Sequence, residues 1–460
     1  MCIRDRYSDV QFETVYETSA KQYFNDLINK RGFSEFNGTG CATEYFEDMS
    51  FNQFKPQFDV VGPITLPNPM AYYGANDEYG NDVHPELMVV DACKLIDSQV
   101  NFADYDNDND GYCDNVYVIY AGYGENASGT KDSVWPHSWE ISAAQTEEFK
   151  LDGVVINHYA CSSEMLDSAT KTPDGIGTFV HEFSHVMGLP DLYDTSYTYT
   201  YYTPGKYSVM DSGSYNNNSR TPEGYTVYER NAMGWIDIEE LNSPKMIELG
   251  NIAETNQGYV IRTQKENEFF LLENRQQTGW DTYLPHHGML IWHIDYSQYS
   301  WNHGTVNNNK DHMRVTIVKA SNLSNGVNTS ILKGWPWPGS KKRTQFTSTT
   351  TPALQDWNGN AIDVPITNIQ EIDGVISFEV MGGMAAGVKE VSGAEASFAV
   401  SIAGRDVVVA TDAAVVEVYN AMGQLVASER VSDGMAALTL PASGLYIVRA
   451  NAHIAKVVLK

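Results

Sequence analysis

"TFVHEFSHVMGLPDLYD", residues 178–194, places two histidines, one glutamate and two aspartates within seventeen positions. Asp174, Gly175 and Gly177 can open a helix, and "IGTFVHEFSHVM" continues it with Phe179, Val180, Phe183, Val186 and Met187 toward packing partners. His181 and His185 are four residues apart, so their rings share one helix face. That spacing lets both imidazoles reach one Zn²⁺ at about 2.0–2.1 Å. Glu182, beside the first histidine, is placed to take a proton from a zinc-bound water and pass it to a leaving amine. Gly188 can adopt the left-handed conformation that ends a helix. The chain then turns, and Asp191 offers a carboxylate as third ligand. A fourth position stays open for water, as in catalytic zinc sites. The competing reading is a chance H-E-x-x-H on a core helix. Gly188 and Asp191, at offsets a metal site needs, argue against it.

The rest of the chain sets the context. At 460 residues, two or three domains are expected. A net charge of −29 excludes nucleic acid and anionic membranes as partners by simple repulsion. Abundant Tyr (28) and Trp (9), with Asn/Gly-rich turns, fit a secreted β-rich protein. The cysteines are Cys2, Cys41, Cys93, Cys113 and Cys161, without a C-x-x-C pair, which leaves at most two disulfides and no cysteine zinc site. No apolar run reaches the roughly 20 residues of a transmembrane helix. The opening "MCIRDR" resembles a translated sequencing-adapter scar rather than a secretory signal. The reading therefore starts the first domain at residue 7 and expects signal, propeptide and the first strand of the catalytic domain to be missing.

Helical apolar spacing recurs at 14–31 (Val15, Tyr23, Phe24, Leu27, Ile28) and at 84–100, while "NVYVIYAG" (115–122) and "GVVINHYAC" (153–161) read as strands. Alternating helices and strands predict an α/β or α+β domain over 7–245. Over 246–382 the strands "GYVIRTQ", "EFFLLENRQ", "GMLIWHIDY", "RVTIVKA" and "GVISFEVM" predict an all-β, β-sandwich-like domain. A Gly/Ala-rich linker follows at 383–396, then a small C-terminal β-sandwich at 397–460.

A second metal motif is "DYDNDNDGYCD", residues 104–114. Asp106, Asp108, Asp110, Gly111 and Asp114 fall at positions 1, 3, 5, 6 and 9 of an EF-hand-type loop. Such carboxylates repel one another unless a cation sits between them. The reading assigns structural Ca²⁺ to Asp106, Asp108, Asp110, Tyr112 and Asp114. Position 12 is Tyr117, so a bidentate glutamate is absent there. His286, His287 and His293 are read as structural, as is His137.

"YSVMDSGSY" (207–215) resembles the Met-turn beneath the zinc of metzincins. Together with "DSVWPHSWE" (132–140), "YERNAMGWI" (228–236) and "FFLLENRQQTGWDTYLPHHGMLIWHIDY" (269–296), it makes residues 7–382 similar to the immune inhibitor A family of secreted bacterial zinc endopeptidases. The resemblance implies a metzincin-like α+β catalytic domain, a catalytic zinc, structural calcium, protein or peptide substrates and synthesis as a proenzyme. By metzincin logic the third ligand is Asp191, with Asp194 and Glu229 as alternatives. Tyr215 is nominated for oxyanion stabilisation, against a packed aromatic. The segment "VEVYNAMGQLV…LPASGLYIVRANAHIAKVVLK" resembles the sorting domain of type IX secretion systems, implying export across a bacterial outer membrane to the exterior or the cell surface. The alternative functional readings are a calcium-stabilised adhesin or glycan-binding protein on a degenerate protease scaffold, and a non-peptidase zinc hydrolase.

Overall fold

The computed structural model describes every residue except 17, 128, 199–202, 322–328, 384–397, 404, 421, 422, 452 and 460. Two compact units are present: 1–242 with 247–378, and 243–246 with 379–460.

The first unit is organised on a mixed sheet. In chain order its main elements are β1 (Cys2–Arg6), α1 (Ala20–Asn29), α2 (Ala42–Met49), β2 (Val60–Thr65), α3 (Pro85–Ile96), β3 (Val116–Tyr123), β4 (His137–Glu140), β5 (His158–Asp167) and α4 (Ile176–Val186). The strands lie in the order β2-β1-β3-β5-β4, with Thr172–Pro173 added beside β5. All neighbours run parallel except β4 and Thr172–Pro173, which are both antiparallel to β5. Parallel strands are buried on both faces, which is why β3 reads as an unbroken apolar run. One hydrophobic cluster gathers Tyr23 and Phe24 of α1, Tyr45 and Phe46 of α2 and Phe179 and Val180 of α4. A second gathers Met88, Val89, Cys93 and Ile96 of α3 with Val116, Val118 and Tyr120 of β3. Tyr117 and Ile119, the alternate β3 residues, belong to the first cluster. Helices thus cover both sheet faces.

The sequence reading starts the first domain at residue 7, but residues before it form a strand of this sheet. Cys2–Arg6 fills the slot between β2 and β3 and pairs with both. Backbone pairing does not depend on side-chain identity, so a charged pentapeptide completes the ladder. The cost lies in the side chains: Arg4 and Asp5 are fully buried, and none of their polar side-chain atoms has a hydrogen-bond partner. Being adjacent on a strand, they point to opposite faces and cannot pair. Arg4 lies 5.0 Å from the Phe12 ring centroid.

The strand predicted over 153–161 is two strands. Val154–Ile156 joins a small sheet with Tyr112–Cys113 and Lys150–Leu151. Asn157 separates it from β5, its carbonyl accepting from Ile141 N at 2.9 Å and its side-chain oxygen from Ser142 N at 2.9 Å. A short polar side chain here diverts the backbone from the ladder.

Beyond α5 (Val227–Ala232), the chain forms β6 (Tyr259–Arg262), β7 (Glu268–Arg275), β8 (Gly288–Asp295) and β9 (Val315–Ile317). These are consecutive antiparallel neighbours, with Glu239–Glu240 at the β6 edge. Leu271, Leu290, Trp292, Ile294 and Trp335 belong to the same cluster as Phe46, Phe179 and Val180. The boundary expected at 245/246 therefore does not divide the core. Residue alternation shows that a sheet face is buried, but not which surface buries it. All five cysteines are buried and unpaired.

In the second unit, β10 (Phe398–Ala403), β11 (Asp406–Thr411), β12 (Val415–Asn420), β13 (Leu425–Arg430), β14 (Met435–Thr439), β15 (Gly444–Ala450) and β16 (His453–Leu459) make two antiparallel sheets. Their orders are β10-β11-β14 and β13-β12-β15-β16. Alternate residues (Val407, Val409, Val416, Val418, Val448, Val457) fill one shared core. The linker expected at 383–396 lies, from 384 onward, outside the described residues. Among the described residues no helix is long and apolar enough to cross a membrane.

Candidate metal centre

Helix α4 starts against a fixed surface. Asp174 N donates to Glu164 O of β5 at 2.9 Å, and the Asp174 carboxylate accepts from Gly175 N at 2.9 Å. A Cβ at Gly175 would lie 2.2 Å from Ser219 O, and one at Gly177 1.9 Å from Ser214 O. Only glycine lets the 214–219 loop approach the helix this closely. At the other end Gly188 takes φ +98° and turns the chain back toward the helix.

That turn brings three ligand atoms together. Asp191 Oδ1 lies 3.2 Å from His181 Nε2 and 3.1 Å from His185 Nε2. His181, Glu182 and His185 also converge within metal-binding range. Each histidine is oriented by a backbone carbonyl: His181 Nδ1 donates to Val209 O at 2.7 Å, and His185 Nδ1 to Leu189 O at 2.7 Å. A proton committed at Nδ1 leaves the Nε2 lone pair facing the shared point, the arrangement expected of zinc-binding histidines. Asp191 Oδ1 is buried and faces the two imidazole Nε2 atoms. A buried carboxylate needs compensation, which here is either a proton on an imidazole Nε2 or a cation at the shared point. The donor set fits zinc: two imidazoles and one carboxylate, with a position open to the cleft.

The electrostatics follow from burial and proximity. Burial pushes the Glu182 carboxyl above its ordinary range, while both imidazoles pull it back. Burial also opposes charge on His185, but Asp191 outweighs it and lifts the ring to about 9. Asp191 is held well below the usual carboxylate range, its own burial outweighed by the two histidines. Protons and metal therefore compete for the same atoms.

The Met210 turn lies beside the cluster. Met210 is fully buried, and its carbonyl accepts from Leu192 N at 2.8 Å. Of the alternative third ligands, Glu229 is turned away. It closes a capping box at the start of α5 with Thr226 and accepts from Ser208 Oγ at 2.6 Å. Asp194 accepts from Ser196 N at 3.0 Å and holds a turn. The structure thus gathers His181, Glu182, His185 and Asp191, and leaves Asp194 and Glu229 out.

These residues line a cleft of about 1200 Å³, shared with residues 135–140, Tyr215 and residues 301–304. Tyr215 is 41% exposed. Its hydroxyl accepts from Asn126 Nδ2 at 2.9 Å, which leaves its own proton free to donate into the cleft. His137 is bonded at both nitrogens, to Trp135 O at 2.6 Å and to Tyr159 OH at 2.8 Å. His287 and His293 serve separate contacts, with Glu371 at 2.6 Å and Glu268 at 2.9 Å. The sequence reading did not find the two orienting carbonyls, nor Tyr193 and Trp301 in the cleft wall. Backbone acceptors have no residue-type signature, and Trp301 is over a hundred positions from α4.

In the acidic loop, Asp106, Asp108 and Asp110 bring carboxylate oxygens within 4.8 Å of one another. Asn109 (φ 62°) and Gly111 (φ 90°) make the sharp turn. Asp106 accepts from Asp110 N at 3.0 Å and Gly111 N at 3.1 Å. Tyr112 enters a short strand, and Asp114 accepts from the Asn107 side chain. Tyr117, at position 12, is buried with its ring 4.2 Å from that of Phe179, so it offers no ligand.

Comparison with known proteins adds the family. The family described as "Immune inhibitor A peptidase M6, catalytic domain" matches residues 4–236, about half of the 460-residue chain. "Immune inhibitor A" of Bacillus thuringiensis subsp. alesti is 27% identical over 260 residues, covering 49% of this chain and 37% of the relative. "Pre-pro-metalloprotease PrtV" of Vibrio cholerae serotype O1 (strain M66-2) is 25% identical over 295 residues, covering 56% of this chain and 32% of the relative. The chain thus matches only about a third of the length of these curated relatives.

Proposed function

The chain belongs to the immune inhibitor A (M6) peptidase family, and we propose that it is a secreted, zinc-dependent endopeptidase acting on extracellular proteins. The observation that carries this reading is the convergence of His181 Nε2, His185 Nε2 and the buried Asp191 Oδ1 beside Glu182. These three atoms would hold the zinc. Bound there, zinc supplies Lewis acidity and lowers the pKa of water to about 7.

The chain's own groups do the rest. The Glu182 carboxylate takes the proton of the attacking water and returns it to the departing amine nitrogen. Its burial favours holding that proton between the two steps. The Tyr215 hydroxyl donates a hydrogen bond to the developing oxyanion. Strand β4 closes the order of its sheet, and its residues line the cleft. Its outer edge, which no strand pairs among the described residues, suits an extended peptide backbone and supports peptides as the substrate class.

Calcium held by Asp106, Asp108 and Asp110, with Asp114 and the Tyr112 segment nearby, braces the entry to β3. Export by a type IX system, read by the C-terminal sandwich, accounts for a separate small unit at the chain end. Within that unit Tyr446 is buried and its hydroxyl donates to Ala442 O at 2.9 Å. Of the two aromatics a carbohydrate-binding reading of this segment would use, Tyr419 and Tyr446, this leaves only Tyr419.

The test is metal removal and return. Chelation should abolish hydrolysis of casein, and about one zinc per chain should restore it. Hydrolysis that survives in fully zinc-free protein would rule the reading out.

A further inference from the structure

The loop that carries Asp191 is held from outside the family-matched span, which ends at residue 236. Four contacts reach it from residues 301–308. Trp301 Nε1 donates to Gly188 O at 3.0 Å. Asn307 Nδ2 donates to Leu192 O at 2.8 Å. Thr195 Oγ1 donates to Gly304 O at 2.7 Å, and Thr195 N to Asn308 Oδ1 at 3.0 Å. The first two acceptors, Gly188 and Leu192, bracket Asp191 in the chain.

The 301–308 segment is itself rigidly based. Asn307 is 2% exposed and also exchanges bonds with β9, donating to Val315 O at 2.9 Å and accepting from Val315 N at 3.1 Å. The Trp301 ring packs on Tyr228 and Tyr296, at 6.1 and 5.6 Å between centroids. One buried amide thus ties a sheet strand to the ligand loop. Residues 188–195 lie outside any helix or strand. Without these ties the loop would have many conformations in which Asp191 misses the two histidines, and fixing it is an entropic requirement of the site.

We propose that residues 301–308 are a strap that positions Asp191, with Trp301 and Asn307 as positioning residues of the metal centre. The proposal rests on Asp191 being a zinc ligand. It makes the metal site a joint product of the family-matched region and the β6–β9 part of the unit.

The full chain tests this with Trp301→Phe, Asn307→Asp and Thr195→Val. Trp301→Phe keeps an aromatic ring and removes one N–H donor. Asn307→Asp keeps the acceptor for Val315 N and removes both donors. Zinc affinity is measured by chelator competition, and the site geometry by the visible spectrum of the Co²⁺-substituted protein. The strap predicts zinc affinity about 10- to 100-fold weaker in Trp301→Phe and Asn307→Asp, with an altered cobalt spectrum. The melting temperature of the zinc-free chain should change little in Trp301→Phe. If Asn307→Asp does not fold, Trp301→Phe and Thr195→Val decide. Wild-type affinity and an unchanged cobalt spectrum in the folded variants would overturn the strap while leaving the zinc site intact. A wild-type chain that binds no zinc would instead remove the metal-site reading, and the strap with it.

Discussion

Ser208 Oγ donates to Glu229 Oε1 at 2.6 Å, and this buried contact fixes the turn whose next carbonyl, Val209 O, orients His181. Ser208 Oγ also accepts from Met210 N at 3.1 Å. Glu229 thus acts on the metal centre through one hydroxyl and one carbonyl, without touching the metal position. Glu229→Gln should lower zinc affinity about 10- to 100-fold, read by chelator competition. An affinity equal to that of the wild type would show that the turn holds His181 without it.

The metal-free centre should titrate in a defined direction. His185 has its pKa raised from 6.5 to about 9, so its contribution to stability is complete below about 6.5 and is lost as pH rises through about 9. Asp191 is depressed below 3.8, so its contribution is present above about 3.8 and is lost only in stronger acid. Zinc-free protein should therefore lose stability between pH 6.5 and 9, measured by thermal melting. Zinc-loaded protein should not show this loss, because the metal replaces the proton at Nε2. Parallel melting profiles for the two forms would contradict the shared-atom geometry.

Strand β1 offers a stability test. Asp5 is fully buried between Ile3 and Tyr7 on one strand face, with no hydrogen bond to either carboxylate oxygen, and burial pushes its pKa well above the usual range. Asp5→Val should stabilise the chain by about 1–4 kcal/mol in urea unfolding. A destabilised variant would mean that the carboxylate has a partner.

Calcium should act on stability rather than chemistry. At about 100 times its Kd, a native-state ligand stabilises by about 2.7 kcal/mol. A calcium-selective chelator should lower the melting temperature, and Asp108→Ala should remove that response. An identical response in Asp108→Ala would place the ion elsewhere.

The sequence made the centre legible where chemistry is local. His181, Glu182, His185, Gly188 and Asp191 lie within eleven positions, and helix periodicity orients them. The β3 strand and α3 were legible because their apolar runs are long. Four things were not. The boundary at 245/246 failed because Leu271 and Trp292 look the same whether they face a second domain or α4. The split at Asn157 depends on one side chain finding Ser142 N. Residues 2–6 looked foreign because they are highly charged, yet a strand slot is filled by backbone hydrogen bonds. The positioning role of Glu229, weighed from the sequence as a ligand, and the contact of Trp301 with the site appear only when the fold brings both to residues 188–210.

The most direct measurement is casein hydrolysis by wild type and Glu182→Ala, with bound zinc quantified in both. The account predicts about one zinc per chain in each and hydrolysis about 10²- to 10⁴-fold slower in the variant. A variant that keeps its zinc and cuts at the wild-type rate would contradict the account, because Glu182 would then carry no proton.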